Sequence, residues 1–332
     1  NFATFFFFFN ESRIDLYTLK AKMKRTYHLC WSGGDEVLFR TREDYIHGII
    51  CLCIAAHEKG CTLVAYCLMS NHVHICIRGT NIKAFIKAFR YSYSRYFNSK
   101  YHRHGRLGEK FFFKQEVKAL YHLLTVIAYI LRNPLHHGVC KTPFEYEFSS
   151  VHAPFGKELG LHLKNNDKHG KIPYWQLPSR HKMPPHVKID SNGHLLSESI
   201  VDTADLEHQF STARSYLYFM NRLSGEAWEK EQLQDNTGNP PIRVEDIEQG
   251  VRCGSIQQML ANETGRNRVL NIDDIKLCTI IDEYIDKTYK GETVYTLPLS
   301  KSTKIAESLR GKHHLSREQI SRCMALPNTT LQ

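Results

Sequence analysis

The sequence predicts an α+β chain, and three observations carry that reading. Hydrophobic periodicity runs in the order strand, helix, strand, strand, helix, strand across residues 27–117. Turn-forming residues at Gly33-Gly34, Gly60 and Ser70-Asn71 separate those segments. From Leu195 onward the periodicity is helical. The first six elements follow the split βαβ order. They predict a ferredoxin-like antiparallel sheet with helices on one face, followed by a mostly α-helical C-terminal region.

The elements follow in order. Residues 27–32 read as a strand closed by Gly33-Gly34. Thr41, with Asp44 three residues on, starts a helix through Ile49, Ile50 and Ile54 to Lys59, where Gly60 ends it. Residues 62–69 form a second strand, Ser70-Asn71 a tight turn, and residues 72–78 a third strand antiparallel to the second. Residues 81–98 form a helix with Ile82, Phe85, Ile86, Phe89 and Tyr93 on its apolar face. Lys83, Lys87 and Arg90 make a basic stripe on another face. A loop rich in His, Arg and Gly spans 101–109 and leads into a strand over 111–117. A third helix over 120–132 is expected to stop at Pro134, which lacks the N–H a helix needs.

Three regions are expected: a mixed domain over 24–155, a linker or extension over 156–195, and a helical region over 196–332. In the last, helices are expected over 203–223, 244–249, 272–290, 304–309 and 316–326. The final pair resembles a helix-turn-helix at 304–326, with Ser316 as N-cap, and fits a plain helical hairpin equally well.

Composition narrows the class. Of 332 residues, 42% are hydrophobic and 23% charged, ordinary globular material that excludes collagen-like and disordered chains. The ten Cys are scattered through apolar runs with no CxxC pair, which reads as buried thiols in a reducing cytosol. No apolar run is long enough to span a bilayer; the Phe5 to Phe9 run is only five residues. Met23, followed by Lys24 and Arg25, reads as a natural alternative start. Residues 1–150 carry 21 basic and 11 acidic side chains, whereas the rest balances at 23 of each. The whole basic excess lies in the first half, which suggests that this half faces a polyanion.

Three groups of residues in that half look chemical. His72 and His74 flank Val73 on a strand, so both imidazoles point to one face and could ligate a divalent metal. With 19 His in the chain, chance pairs of this kind are also expected. Tyr129 and Asn133 lie four apart on the third helix and share a face. That spacing equally suits core packing and a helix end before Pro134. Lys83, Lys87, Arg90, Arg95, Arg103, Arg106 and Lys110 interleave with Tyr91, Tyr93, Tyr96 and Phe97. Cations for phosphates and aromatics for base stacking suit single-stranded nucleic acid, and a solvated amphipathic face would look similar.

Together these groups match a known arrangement. Residues 26–150 resemble the HUH single-tyrosine transposases, especially the REP-associated tyrosine transposase branch. The resemblance rests on Tyr66-Cys67-Leu68-Met69-Ser70-Asn71-His72-Val73-His74, on Arg95-Tyr96-Phe97-Asn98, and on Gly105-Arg106-Leu107-Gly108-Glu109-Lys110-Phe111-Phe112. It continues in Ala128-Tyr129-Ile130-Leu131-Arg132-Asn133-Pro134 and in Pro143-Phe144-Glu145-Tyr146-Glu147-Phe148-Ser149-Ser150, and ends by residue 155.

The resemblance implies an HUH catalytic domain over 24–155, with His72 and His74 binding Mg2+ or Mn2+ and Asn133 as a third, amide ligand. It implies Tyr129 as the nucleophile, giving a 5′-phosphotyrosine and a free 3′-OH on single-stranded or hairpin DNA. It also implies a cytoplasmic, nucleoid-associated bacterial enzyme, monomer or homodimer, with no membrane partner. Tyr121 is the rival nucleophile on the same helix, offset in level and face. Two other activities compete with transposition: a domesticated binder of structured DNA that does not cut, and a metal-dependent phosphoesterase with no covalent step.

Overall fold

Four strands, β1 (Arg25–Ser32), β2 (Thr62–Leu68), β3 (His72–Gly79) and β4 (Phe113–Val117), pair in the order β2-β3-β1-β4, every pair antiparallel. The structure is a computed structural model that describes residues 24–160, 182–190, 195–224, 226–233, 238, 240–247, 256–264, 272–327 and 329–331. Cys253 and the proposed start at Met23 lie outside the described residues. The nine described cysteines are all buried and free.

The sheet order follows from the predicted βαββαβ succession. Helix α1 (Arg42–Glu58) joins β1 to β2, and α2 (Ile82–Lys100) joins β3 to β4. The α1 N-terminus is held by Asp44, whose Oδ2 accepts from the backbone N–H of Arg40 at 2.9 Å and of Thr41 at 3.0 Å. Ser70-Asn71 makes a two-residue hairpin turn, closed by Met69 N–H to His72 O at 2.8 Å. Gly33 must lack a side chain because a Cβ there would lie 2.2 Å from Glu36 O and 3.0 Å from Asn71 O.

Strand alternation sets the two faces of the sheet. Trp31 and its partner Val73 face α2, where Trp31 meets Phe89 edge-on at 5.7 Å between ring centroids. Cys30 and its partner His74 face the other way. The two connecting helices therefore cover one face, and α3 (Leu120–His136) lies on the opposite one as a further layer.

Helix α3 does not stop at Pro134 as the sequence suggests; it runs on to His136. Proline removes one hydrogen bond from the last turn, but the next still forms, from His137 N–H to Asn133 O at 3.1 Å. The true stop is Gly138 at φ +66°, with Gly138 N–H bonded to Leu135 O and Val139 N–H to Pro134 O. Asn133 is thus inside the helix rather than at its cap.

The C-terminal region is helical but divided differently from expectation. The predicted 203–223 helix breaks into α4 (Thr203–Phe210) and α5 (Ala213–Asn221), because Ser211 sits at φ +65° and Thr212 caps the second helix through Ser215 N–H. Helices α6 (Glu226–Gln232) and α8 (Ile256–Glu263) were not expected, and α7 spans Val244–Ile247. Then come α9 (Asp274–Thr288), α10 (Leu299–His313) and α11 (Arg317–Cys323). Residues 310–313, expected as the connection of the final pair, form the last turn of α10, which ends with His314 at φ +52°. Ser316 caps α11 as predicted, accepting from Gln319 N–H at 3.1 Å. Helices α5, α6 and α8 pack on the outer side of α3, exemplified by Trp228 Nε1–H donating to Thr125 Oγ1 at 2.7 Å. Helices α9 to α11 form a second core that includes Val37 from the β1–α1 loop. Arg40 of that loop is fully buried, donating to Asp282 and, at 2.7 Å, to Cys323 O.

Candidate active site

Side-chain alternation on β3 puts His72 and His74 on the α3 face, with ring centroids 5.1 Å apart. Helical spacing brings Tyr129 and Asn133 to meet them. Asn133 Oδ1 lies 2.7 Å from His72 Nε2, and the Tyr129 ring stands edge-on to His74 at 5.6 Å between centroids. Asn133 Nδ2 is 3.5 Å from the Tyr129 hydroxyl. All four residues foreseen for the chemistry are therefore in one cluster. Tyr121, the rival, is only partly buried and packs against the core.

The surroundings set the protonation of the imidazoles. Burial pushes His72 down to about 4, against the opposing pull of Asn133, and the charge of Arg322 lowers it further. His74 falls well below the ordinary histidine value through burial and then through its neighbours His72 and His28. Both are neutral at pH 7, the state that can bind a metal. His72 Nδ1 lies 2.8 Å from Asn71 Oδ1 and Nε2 2.7 Å from Asn133 Oδ1, so the single proton of the neutral ring goes to one of these oxygens and a lone pair faces the other. With the proton on Nδ1, the Nε2 lone pair that would serve a metal faces the Asn133 carbonyl across 2.7 Å. A shared cation relieves that contact, and so does a turned amide. Two imidazoles and one carboxamide thus fit a divalent ion; among the described residues no group of three or more His, Cys, Asp or Glu offers such a set.

Three further histidines ring the cluster, none of them singled out from the sequence. His28 Nε2 on β1 contacts His74 Nδ1 at 3.0 Å, and burial lowers it to about 3. His136 packs on Tyr129 at 5.0 Å and His137 on His72 at 4.9 Å. His28 becomes visible only once β1 is known to pair with β3. His136 and His137 required α3 to continue past Pro134.

The cluster is closed. Tyr129 is 1% exposed, His72 1%, and His74 and Asn133 are fully buried. Part of the cover is α8, whose Glu263 reaches His136 Nε2 at 2.6 Å, Arg132 at 3.1 Å and Ser224 Oγ at 2.6 Å. Burial would raise the Glu263 carboxyl, but hydrogen bonding and charge from His136, then Arg132, hold it down at about 2. Beside His72 a cavity of about 530 Å³ opens, walled by Asn71, Glu145, Phe148, Asp274, Gln319 and Arg322.

The basic residues fall elsewhere. Lys83, Lys87, Arg90, Arg95, Arg106 and Lys110 line one groove of about 490 Å³ on α2 and the 105–112 segment. Exposed Tyr91 lines it too, and exposed Phe111 lies beneath Lys110. Arg103 does not join them; its guanidinium forks onto Glu36 at 2.7 and 3.0 Å, where it organises the loop. Arg90 also has a structural share, binding the Glu109 and Lys110 carbonyls and lying over Trp31. This groove belongs to the α2 layer, on the side of the sheet away from Tyr129.

Comparison with known proteins bears on the same half of the chain. Residues 21–130 match the family model described as "Transposase IS200 like". No curated protein matches the chain. A solved structure described as a REP-associated tyrosine transposase bound to a REP hairpin aligns with 46% of this chain and 90% of that one, at 13% identity and a TM-score of 0.35. Among the described residues no helix is long and apolar enough to cross a membrane.

Proposed function

From the premise that residues 21–130 match the IS200-like transposase family, we propose a metal-dependent endonuclease and strand transferase for single-stranded DNA, acting on REP-like hairpins through a 5′-phosphotyrosine. The observation that carries this is the meeting of Tyr129 and Asn133 with the His72–His74 pair, in one cluster built from two elements. A Mg2+ or Mn2+ ion held by His72, His74 and Asn133 would polarise the scissile phosphate.

Tyr129 attacks phosphorus with its phenolic oxygen and gives up its proton. The P–O3′ bond breaks, and the departing 3′ oxygen takes up a proton. The phosphodiester energy is kept in the tyrosyl ester, so a 3′-OH from another strand can reverse the step without ATP. His72 and His74 hold their aim on a strand, while Asn133 ties that strand to the nucleophile's helix. The α2 groove gathers phosphates of the hairpin through Lys83, Lys87, Arg95, Arg106 and Lys110, with Arg90 beneath them.

Because Tyr129 is buried, the α8 cover must lift before DNA arrives. That burial also favours a second reading, a binder of structured DNA that never opens to cut. Incubation of the protein with hairpin DNA and Mg2+, resolved on a denaturing gel, separates the two. The transposase reading predicts a protein–DNA adduct that disappears with chelator and in Tyr129→Phe. Hairpin binding that is unchanged by chelator, with no adduct, supports the binder. Metal-dependent cleavage that survives Tyr129→Phe supports a simple phosphoesterase.

A further inference from the structure

The proposed chemistry uses residues of 24–155 alone, yet a hydrogen-bonded path reaches the same site from the C-terminal helices. Asp274, the first residue of α9, is buried. Its Oδ2 accepts from Ser70 Oγ at 2.6 Å and from Arg322 Nε at 2.6 Å. Its Oδ1 accepts from Gln319 Nε2 at 3.0 Å and Arg322 Nη2 at 2.9 Å. Ser70 and Asn71 are the turn between β2 and β3, and Asn71 holds His72 Nδ1 at 2.8 Å. Carboxylate, turn and imidazole thus form one continuous chain of contacts.

The two carbonyls of this turn are anchored by the β1–α1 loop. Ser70 O accepts from Leu38 N–H at 2.6 Å and Phe39 N–H at 3.0 Å, and Asn71 O from Gly33 N–H at 2.6 Å. The Ser70 hydroxyl adds a charge-assisted bond to the C-terminal region, stronger than a neutral one. Arg322 and Gln319 lock the carboxylate in place with three donors, so the hydroxyl meets a fixed acceptor.

We infer that Asp274 is a positioning residue for the metal site: through Ser70 and Asn71 it sets the aim of His72, so helices α9 to α11 complete a centre whose ligands all lie in the first half. The inference rests on the reading of His72 as a metal ligand. In the helix-turn-helix-like pair, two polar side chains of α11, Gln319 and Arg322, are turned inward to Asp274, while Arg317 and Glu318 stay exposed.

The test uses the full chain, with Mn2+ binding followed by electron paramagnetic resonance and thermal unfolding followed without metal. Ser70→Ala cuts the path while leaving the Asp274, Gln319 and Arg322 contacts intact. It is expected to weaken Mn2+ binding about tenfold with little change in Tm, and Ser70→Thr to restore binding. Asp274→Asn, which also weakens the Arg322 pair, should lose at least as much Mn2+ affinity. Asp282→Asn loosens the Arg40 contact of the same helices and removes no hydrogen bond of the turn itself, so Tm should fall while Mn2+ affinity drops far less than in Ser70→Ala. The inference is overturned if Ser70→Ala binds Mn2+ like the parent, or if Asp282→Asn weakens binding as much as Ser70→Ala. A parent protein that binds no Mn2+ overturns it together with the metal-site reading, and so is told apart from those two results.

Discussion

Asn133 does two things that a shorter or apolar residue could not: it reaches His72 from the helix that carries Tyr129, and it offers an oxygen to whatever His72 holds. Asn133→Ala should therefore lower Mn2+ affinity by about tenfold or more, measured by titration of the full chain. Unchanged affinity would remove Asn133 from the ligand set. At this scale the sequence was informative wherever periodicity decides the outcome. His72 and His74 share a face because strands alternate, and Tyr129 and Asn133 share one because helices return every four residues. His28 was hidden because its place depends on the pairing of β1 with β3. Arg103 looked like a DNA contact because nothing local announces Glu36 as its partner across 67 positions.

Elements carry the next level of constraint. Helix α3 is apolar on nearly every side, and a helix of that kind must be covered on every side. That signal, present in Leu123 to Leu131, already required a layer beyond the sheet, and α5, α6 and α8 supply it. Pro134 misled because a proline in the last turn costs one hydrogen bond rather than ending the helix. Glu263 latches α8 onto α3 by its carboxylate, whose folded value of about 2 lies below the ordinary 4.5. Such a group stabilises the fold above pH 4.5, and the contribution disappears as pH falls from about 4.5 toward 2. Urea unfolding of Glu263→Gln beside the parent should show a stability gap that is largest at neutral pH and narrows through that window; a constant gap would contradict the latch. The α2 groove makes a separate prediction. Replacing Lys83 and Lys87 together with Ala should reduce the salt dependence of hairpin binding, the slope of log K against log salt, by about two. An unchanged slope would place the DNA elsewhere.

For the molecule as a whole, the sheet separates the two groups: the cations lie on the α2 side, and Tyr129, the proposed nucleophile, lies on α3 under its helical cover. On the proposed reading, a hairpin bound in the α2 groove sends its single strand around an edge of the sheet to reach Tyr129, and the cover yields to it. Hydrogen exchange should then show slow amides along α3 in the free protein and faster exchange over residues 256–263 when hairpin DNA is added. Cleavage without any change there would contradict the need for opening. The α+β order and the helical character of the C-terminal region were legible from pattern alone. The docking of that region was not, because it depends on buried polar contacts such as Arg40 with Asp282 and Asp274 with Ser70, between residues more than 200 positions apart.

The most direct measurement is mass spectrometry of the covalent protein–DNA species after nuclease trimming and tryptic digestion. Cleavage after Lys118 and Arg132 yields a peptide, residues 119–132, that contains both Tyr121 and Tyr129, so fragmentation must place the added nucleotide. The account predicts a 5′-linked nucleotide on Tyr129 with Tyr121 unmodified. A nucleotide on Tyr121, on any other side chain, or on none while the DNA is nonetheless cut, would contradict it.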